Sequence, residues 1–114
     1  MAALIPSQNV QYFSDEEKSR VIFEYIDKLL VLFPDFEYFH IHTYEVMLEP
    51  NFQERKKLYS INAEIRKTME NLGYIEVPKN ANAMHILTDK GRLAKLNGGH
   101  FQYLKSLRAC LNFK

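Results

Sequence analysis

Lys56, Tyr59, Ser60, Ala63 and Lys67 recur at helical spacing, with Arg66 and Glu70 beside them. Read as one helix, the same stretch puts Leu58, Ile61, Ile65, Met69 and Leu72 into a narrow arc, an apolar stripe for a core. The polar set then lies on the opposite side, with a cationic bias and a small residue near its centre. The chemistry such a face offers is recognition of a polyanion. Arginine presents a planar fork that matches a guanine edge bidentately, and lysine a point charge suited to phosphate. A solvated helix face has a similar composition, so the pattern alone leaves both readings open.

Other reactive side chains are thinner on the ground. His40 and His42 would share one face of a strand, as a metal pair needs, but no cysteine or third histidine stands nearby at a ligand spacing. Glu37 and Glu45 add little, and a structural role is the better expectation. Arg55-Lys56-Lys57 is too short, with Glu54 against it, to read as a localisation signal. Asp15, Glu16 and Glu17 suit a helix start better than acid–base catalysis. Cys110 falls on the apolar side of a terminal helix beside Leu107 and Leu111, surroundings that leave a thiol inert. The chain has no Gly-rich phosphate loop, HExxH pair or nucleophile elbow, so neither an enzyme nor a cofactor is expected.

The chain's 114 residues suffice for one modest core. A single cysteine rules out an internal disulfide and fits a reducing cytoplasm. No apolar run reaches the roughly 20 residues a membrane-spanning helix requires, and Met1–Pro6 does not resemble a signal peptide. The net charge of +1 hides a polarity. Residues 1–52 hold three basic groups against nine acidic ones, and residues 53–114 twelve against five, balances of −6 and +7. The basic half carries the cationic helix face, so it could attract polyanions locally; the two halves could equally attract each other.

The elements that would position this face can be read in order. Residues 1–13 show no periodicity and form an N-terminal arm. Ser14 with Glu17 makes a capping box, and Ile22, Ile26, Leu29, Leu30 and Phe33 continue a first helix over 15–33, stopped by Pro34. Residues 35–50 should hold a short strand or turn and a second helix closed before Pro50. A third helix begins at Asn51, paired with Glu54, or later near Ser60, and stops at Gly73. Tyr74–Pro78 and Met84–Leu87 read as strands around a polar tip, residues 79–83. Thr88 caps the next helix, Asn97-Gly98-Gly99 ends or kinks it, and Phe101, Leu104, Leu107 and Leu111 mark a last amphipathic helix. Phe33, Phe36, Tyr38, Phe39 and Tyr44 cluster after the first helix, as core filling or as an aromatic surface.

Two segments, Ile65-Arg66-Lys67-Thr68-Met69-Glu70-Asn71-Leu72-Gly73-Tyr74-Ile75 and Ile86-Leu87-Thr88-Asp89-Lys90-Gly91-Arg92, resemble the winged helix-turn-helix superfamily, in particular small bacterial members. The likeness runs from about residue 58 to 99. It implies a mainly α fold with a small β-hairpin (α+β): a three-helix core, a wing and a C-terminal helix. The winged-helix domain would span 14–99, with 100–114 as a C-terminal helix available for dimerisation.

The same resemblance implies a non-enzymatic DNA-binding protein, a transcriptional regulator, with the third helix in the major groove and the wing against the backbone. Carried over by position, the groove contacts are Lys56, Tyr59, Ser60, Ala63, Arg66 and Lys67, and the wing contacts Lys79, Asn80 and Asn82. Duplex DNA and a second copy of the chain, joined through terminal helices, are the implied partners. The tip carries a single lysine and two alanines, fewer charges than many wings. Some members of the superfamily bind proteins instead, so a protein-interaction module without nucleic-acid binding is the alternative.

Overall fold

The computed structural model describes residues 12–79 and 83–112, with side chains as far as residue 109. Ser14 opens α1 (Asp15–Leu30): its hydroxyl accepts the Glu17 N–H, and the Glu17 carboxylate accepts the Ser14 N–H in return. These Ser14 bonds hold the Glu17 carboxyl below its ordinary range. Val21, Ile22, Tyr25, Ile26, Leu29 and Leu30 form the buried side. The helix ends three residues before the expected Phe33. Leu32 and Phe33 both turn their N–H groups to the Leu29 carbonyl, and a residue before proline is disfavoured in helical geometry. The tightened turn drops Phe33 fully into the core.

Residues 35–50 supply both a bridge and a helix. Phe39 and His85 exchange backbone hydrogen bonds at 2.8 Å in each direction, and α2 (Ile41–Leu48) follows. The expected aromatic cluster divides here. Phe33 stacks on Phe39 with centroids 4.2 Å apart and Tyr44 meets both edge-on, whereas Phe36 and Tyr38 are exposed.

The third helix expected to start at Asn51, or later near Ser60, and to stop at Gly73 is two helices, α3 (Phe52–Tyr59) and α4 (Asn62–Asn71). Asn51 accepts from the Gln53 and Glu54 N–H groups and so starts α3. At the other end the Ser60 hydroxyl donates to the Lys57 carbonyl at 2.6 Å, and the Ile61 N–H turns to Leu58. A serine that bonds a carbonyl of the preceding turn competes with the helical ladder. The chain leaves helical geometry at Ile61 (φ −126°, ψ 10°) and restarts at once. Leu58, Ile61, Ile65 and Met69 stay buried across the break.

Gly73 ends α4 at φ +81°, where glycine carries no Cβ penalty. The Tyr74 N–H reaches Met69 and the Gly73 N–H reaches Glu70, both at 3.0 Å, which satisfies the last carbonyls of the helix. β1 (Ile75–Glu76) and β2 (Ile86–Leu87) pair antiparallel with Ile75 opposite Leu87, shorter than the strands read over 74–78 and 84–87. Thr88 caps α5 (Asp89–Leu96), accepting from Gly91 N–H while donating to the Gly73 carbonyl. A Cβ at Gly91 would stand 2.1 Å from the Tyr74 carbonyl oxygen, so only glycine lets α5 cross there. Lys90 donates to the Leu72 carbonyl at 2.7 Å. The two segments singled out in the sequence are thus clasped to each other.

Asn97-Gly98-Gly99 ends α5, and α6 (His100–Asn112) begins with the Phe101 N–H donating to the Asp27 carboxylate of α1 at 3.0 Å. The core lies where α1 packs on α4, α5 and α6, with Ile26, Leu29, Leu30, Leu58, Ile65, Met69 and Ala94 fully enclosed. His100 is buried, stacks on Phe23 and hydrogen-bonds the Tyr74 hydroxyl at 2.7 Å. Burial pulls the His100 pKa down and pushes the Tyr74 hydroxyl up to about 12. Six helices and one two-stranded hairpin make the described chain a mainly helical α+β globule.

Candidate functional site

The break at Ser60–Ile61 redistributes the cationic face over two helices. Lys56 is exposed on α3, its ammonium 5.6 Å from the centroid of the exposed Phe52 ring. Ala63, Arg66 and Lys67 are exposed on α4, while Ile65 and Met69 hold that helix from the buried side. Neither Arg66 nor Lys67 makes a hydrogen bond or ion pair with a described residue. Lys79 is exposed at the start of the hairpin tip; Asn80 and Asn82 lie outside the described residues. The Ser60 hydroxyl is engaged with the Lys57 carbonyl, so it serves the helix end.

Several other cations of the basic half are occupied. Arg55 turns back to the Glu49 and Pro50 carbonyls and closes the α2–α3 turn, and Lys57 pairs with Glu54 at 3.7 Å. Lys95 donates to the Phe33 carbonyl and pairs with Asp35 at 2.9 Å, while Arg92 pairs with Asp89 and lies over the Phe36 ring. Attraction between the two halves accounts for Lys95–Asp35 and, in the opposite sense, for Lys18–Glu64 at 3.5 Å. It extends electrostatically from Glu45 to Arg66, but no ion pair joins Lys56, Arg66 or Lys67 to a described residue.

Tyr59 is drawn elsewhere. Its ring stacks on His42 and its hydroxyl meets His42 Nδ1 at 3.3 Å, with His42 in turn 3.8 Å from the Glu45 carboxylate. Glu45 is buried at 3% exposure and shares a cavity wall with the Asn62 side chain at the start of α4. Burial raises the Glu45 pKa, opposed by His42, Asn62 and Arg66. His40 precedes α2 and His42 lies in its first turn, so the pair is not carried on a strand. Among the described residues no three His, Cys, Asp or Glu side chains converge as a metal site requires.

The chain matches no family model, no curated protein and no solved structure in comparisons with each. Among the described residues no helix is long and apolar enough to cross a membrane. Its chemistry is therefore read from its own surface. Among the described residues that surface offers exposed cations without an ion pair on α4, one more on α3, and a polar group of His42, Glu45, Asn62 and His85 lining one cavity near the start of α4.

Sequence reasoning passed over most of that group. His42 and Glu45 entered only as weak metal candidates, and Asn62 and His85 not at all. A lone acid in an apolar helix (Ile41-His42-Thr43-Tyr44-Glu45-Val46-Met47-Leu48) was the available signal, since buried acids are rare unless partnered.

Proposed function

We propose that this chain is a non-enzymatic winged helix-turn-helix protein that binds duplex DNA through α4, the adjoining end of α3 and the hairpin, as a transcriptional regulator. The order of elements supports the reading: α1, the Phe39 bridge, α2, the α3–α4 pair and then the hairpin. The observation that carries it is the state of Arg66 and Lys67, exposed and without an ion pair among the described residues on a helix anchored by Ile65 and Met69. Unpaired cations on a fixed helix can neutralise phosphates without first breaking an internal contact.

Fluorescence anisotropy with mixed-sequence duplexes tests this. Binding at low salt that weakens steeply as salt rises is expected, because each neutralised phosphate releases counterions. Replacing both Arg66 and Lys67 by alanine should weaken it by roughly tenfold or more. No binding at micromolar protein in low salt defeats the reading.

The proposal extends to a homodimer through the terminal helices. Residues 105–109 of α6 are exposed on every side, and an isolated helical segment is marginal in water. Between α1 and α6 runs a groove lined by Phe23, Phe101 and Leu104 and rimmed by Glu16, Arg20 and Glu24, the last two paired at 2.9 Å. A second copy's exposed Leu107 complements the apolar floor of that groove. Sedimentation equilibrium reads the stoichiometry, and a monomer at high micromolar concentration removes this part.

One observation favours a protein-interaction module instead. Phe36 and Leu96 are 74% and 83% exposed and border a cavity of about 350 Å³ with Arg92 and Lys95. Exposed apolar patches with a polar rim are common docking surfaces. The DNA titration separates the two readings.

A further inference from the structure

A cavity of about 220 Å³ opens between the start of α2, the start of α4 and the returning strand, bordered by His40, His42, Glu45, Asn62, Arg66 and His85. It is smaller than the roughly 300–1,000 Å³ of pockets that take drug-sized molecules, so its occupant must be small. Two of its polar walls are deeply buried, Glu45 at 3% and His85 at 4% exposure.

His85 closes the back of the cavity, its Nε2 held 2.8 Å from the Glu70 carboxylate. Its Nδ1 is enclosed away from solvent and so is not offered to an occupant. Glu45, an acceptor when ionised, borders the same cavity. The inner wall therefore asks for a donor-rich, positively charged head at Glu45.

The rim asks for the opposite. Arg66 is exposed and acts on Glu45 electrostatically, yet no ion pair closes the space between them. Its guanidinium fork suits a carboxylate. A simple anion would meet the Glu45 carboxylate, and an apolar molecule would leave every polar wall unsatisfied.

We infer that this cavity binds a small zwitterion of the α-amino-acid type, its ammonium held by Glu45 and its carboxylate held by Arg66. Because Arg66 also belongs to the proposed groove face, occupancy would withdraw one cation from DNA, a consequence that rests on the DNA-binding reading.

Isothermal titration of the full chain with glycine, L-alanine, L-serine, L-aspartate and L-lysine tests the site. At least one of the five should bind saturably at one per chain. Its N-acetyl form, without the ammonium, and its amide, without the carboxylate, should each bind roughly tenfold more weakly or worse, the loss expected when a charged hydrogen bond goes. Glu45→Gln and Arg66→Gln should each do the same, while Lys67→Gln leaves affinity unchanged. No saturation by any of the five up to on the order of 10 mM, or binding that persists in both Glu45→Gln and Arg66→Gln, overturns the inference. The titration contains no DNA, so its failure and that of DNA binding are read separately.

Discussion

Helices α3 and α4 are neighbours in the chain and are held in opposite ways. α3 is closed by its own Asn51 and buries only Leu58, leaving Phe52 in solvent. α4 has no side-chain cap of its own; Ile65 and Met69 are fully enclosed, and Glu45 reaches Asn62 from α2. The first is fixed chiefly by short-range bonds, the second by packing and by an acid borrowed from another helix. A helix rigidly seated by its apolar side presents its remaining side chains in a fixed array, Arg66 and Lys67 among them.

The largest test of this contrast is Ile65→Ala. Removing a fully enclosed aliphatic side chain should cost about 2–5 kcal/mol, read as a fall in the chemical-denaturation midpoint. A loss below about 1 kcal/mol would show that α4 is not seated by packing. Next comes Asn51→Ala, expected to cost about 0.5–2 kcal/mol by removing the acceptor for two N–H groups. Hydrogen exchange should quicken at Gln53 and Glu54 and leave α4 protected; equal quickening in α4 would mean that the two helices open as one.

Glu45 provides a pH test of the borrowed acid. Burial raises its folded pKa above the unfolded value, so the folded state binds the extra proton more readily. Stability from this group is fully present below about pH 4.5 and declines as pH rises through the folded pKa. The Glu45→Gln variant should lack that decline in midpoint between acid and neutral pH. An identical pH profile in both proteins would show that Glu45 is not desolvated at α4. The smallest effect is expected for Lys56→Ala on α3, within about 0.5 kcal/mol in stability, since it loses only an exposed contact with Phe52. A larger loss in the same denaturation assay would mean that α3 depends on its surface.

How much of this was legible varied with the range of the forces involved. The Ser14–Glu17 box, the Asn51 and Thr88 caps and the Gly73 stop each act within a few residues, and all stand where the sequence put them. The sequence offered helix starts at Asn51 and near Ser60 without showing that both are used, because the apolar spacing of Leu58, Ile61 and Ile65 fits an unbroken helix; the competing Ser60 bond leaves no mark on that periodicity. Of the cationic face, Lys56, Arg66 and Lys67 are exposed as read, and Tyr59 is half-buried against His42. It stacks on a histidine 17 positions earlier, and no local rule pairs them.

The sequence by itself determined the caps that open α1, α3 and α5, the glycine that stops α4, the apolar stripes to be enclosed, and that the second half carries the positive charge. Caps, glycine geometry and apolar periodicity are properties of neighbouring residues, so they survive being read along a line. Tertiary structure alone decided which cations remain unpaired and which acids become buried. It brought Glu45 against Asn62, left His85 Nδ1 without a partner and clasped Thr88 onto Gly73. Charge pairing and desolvation depend on distance in space, and that distance is set only when the helices have packed.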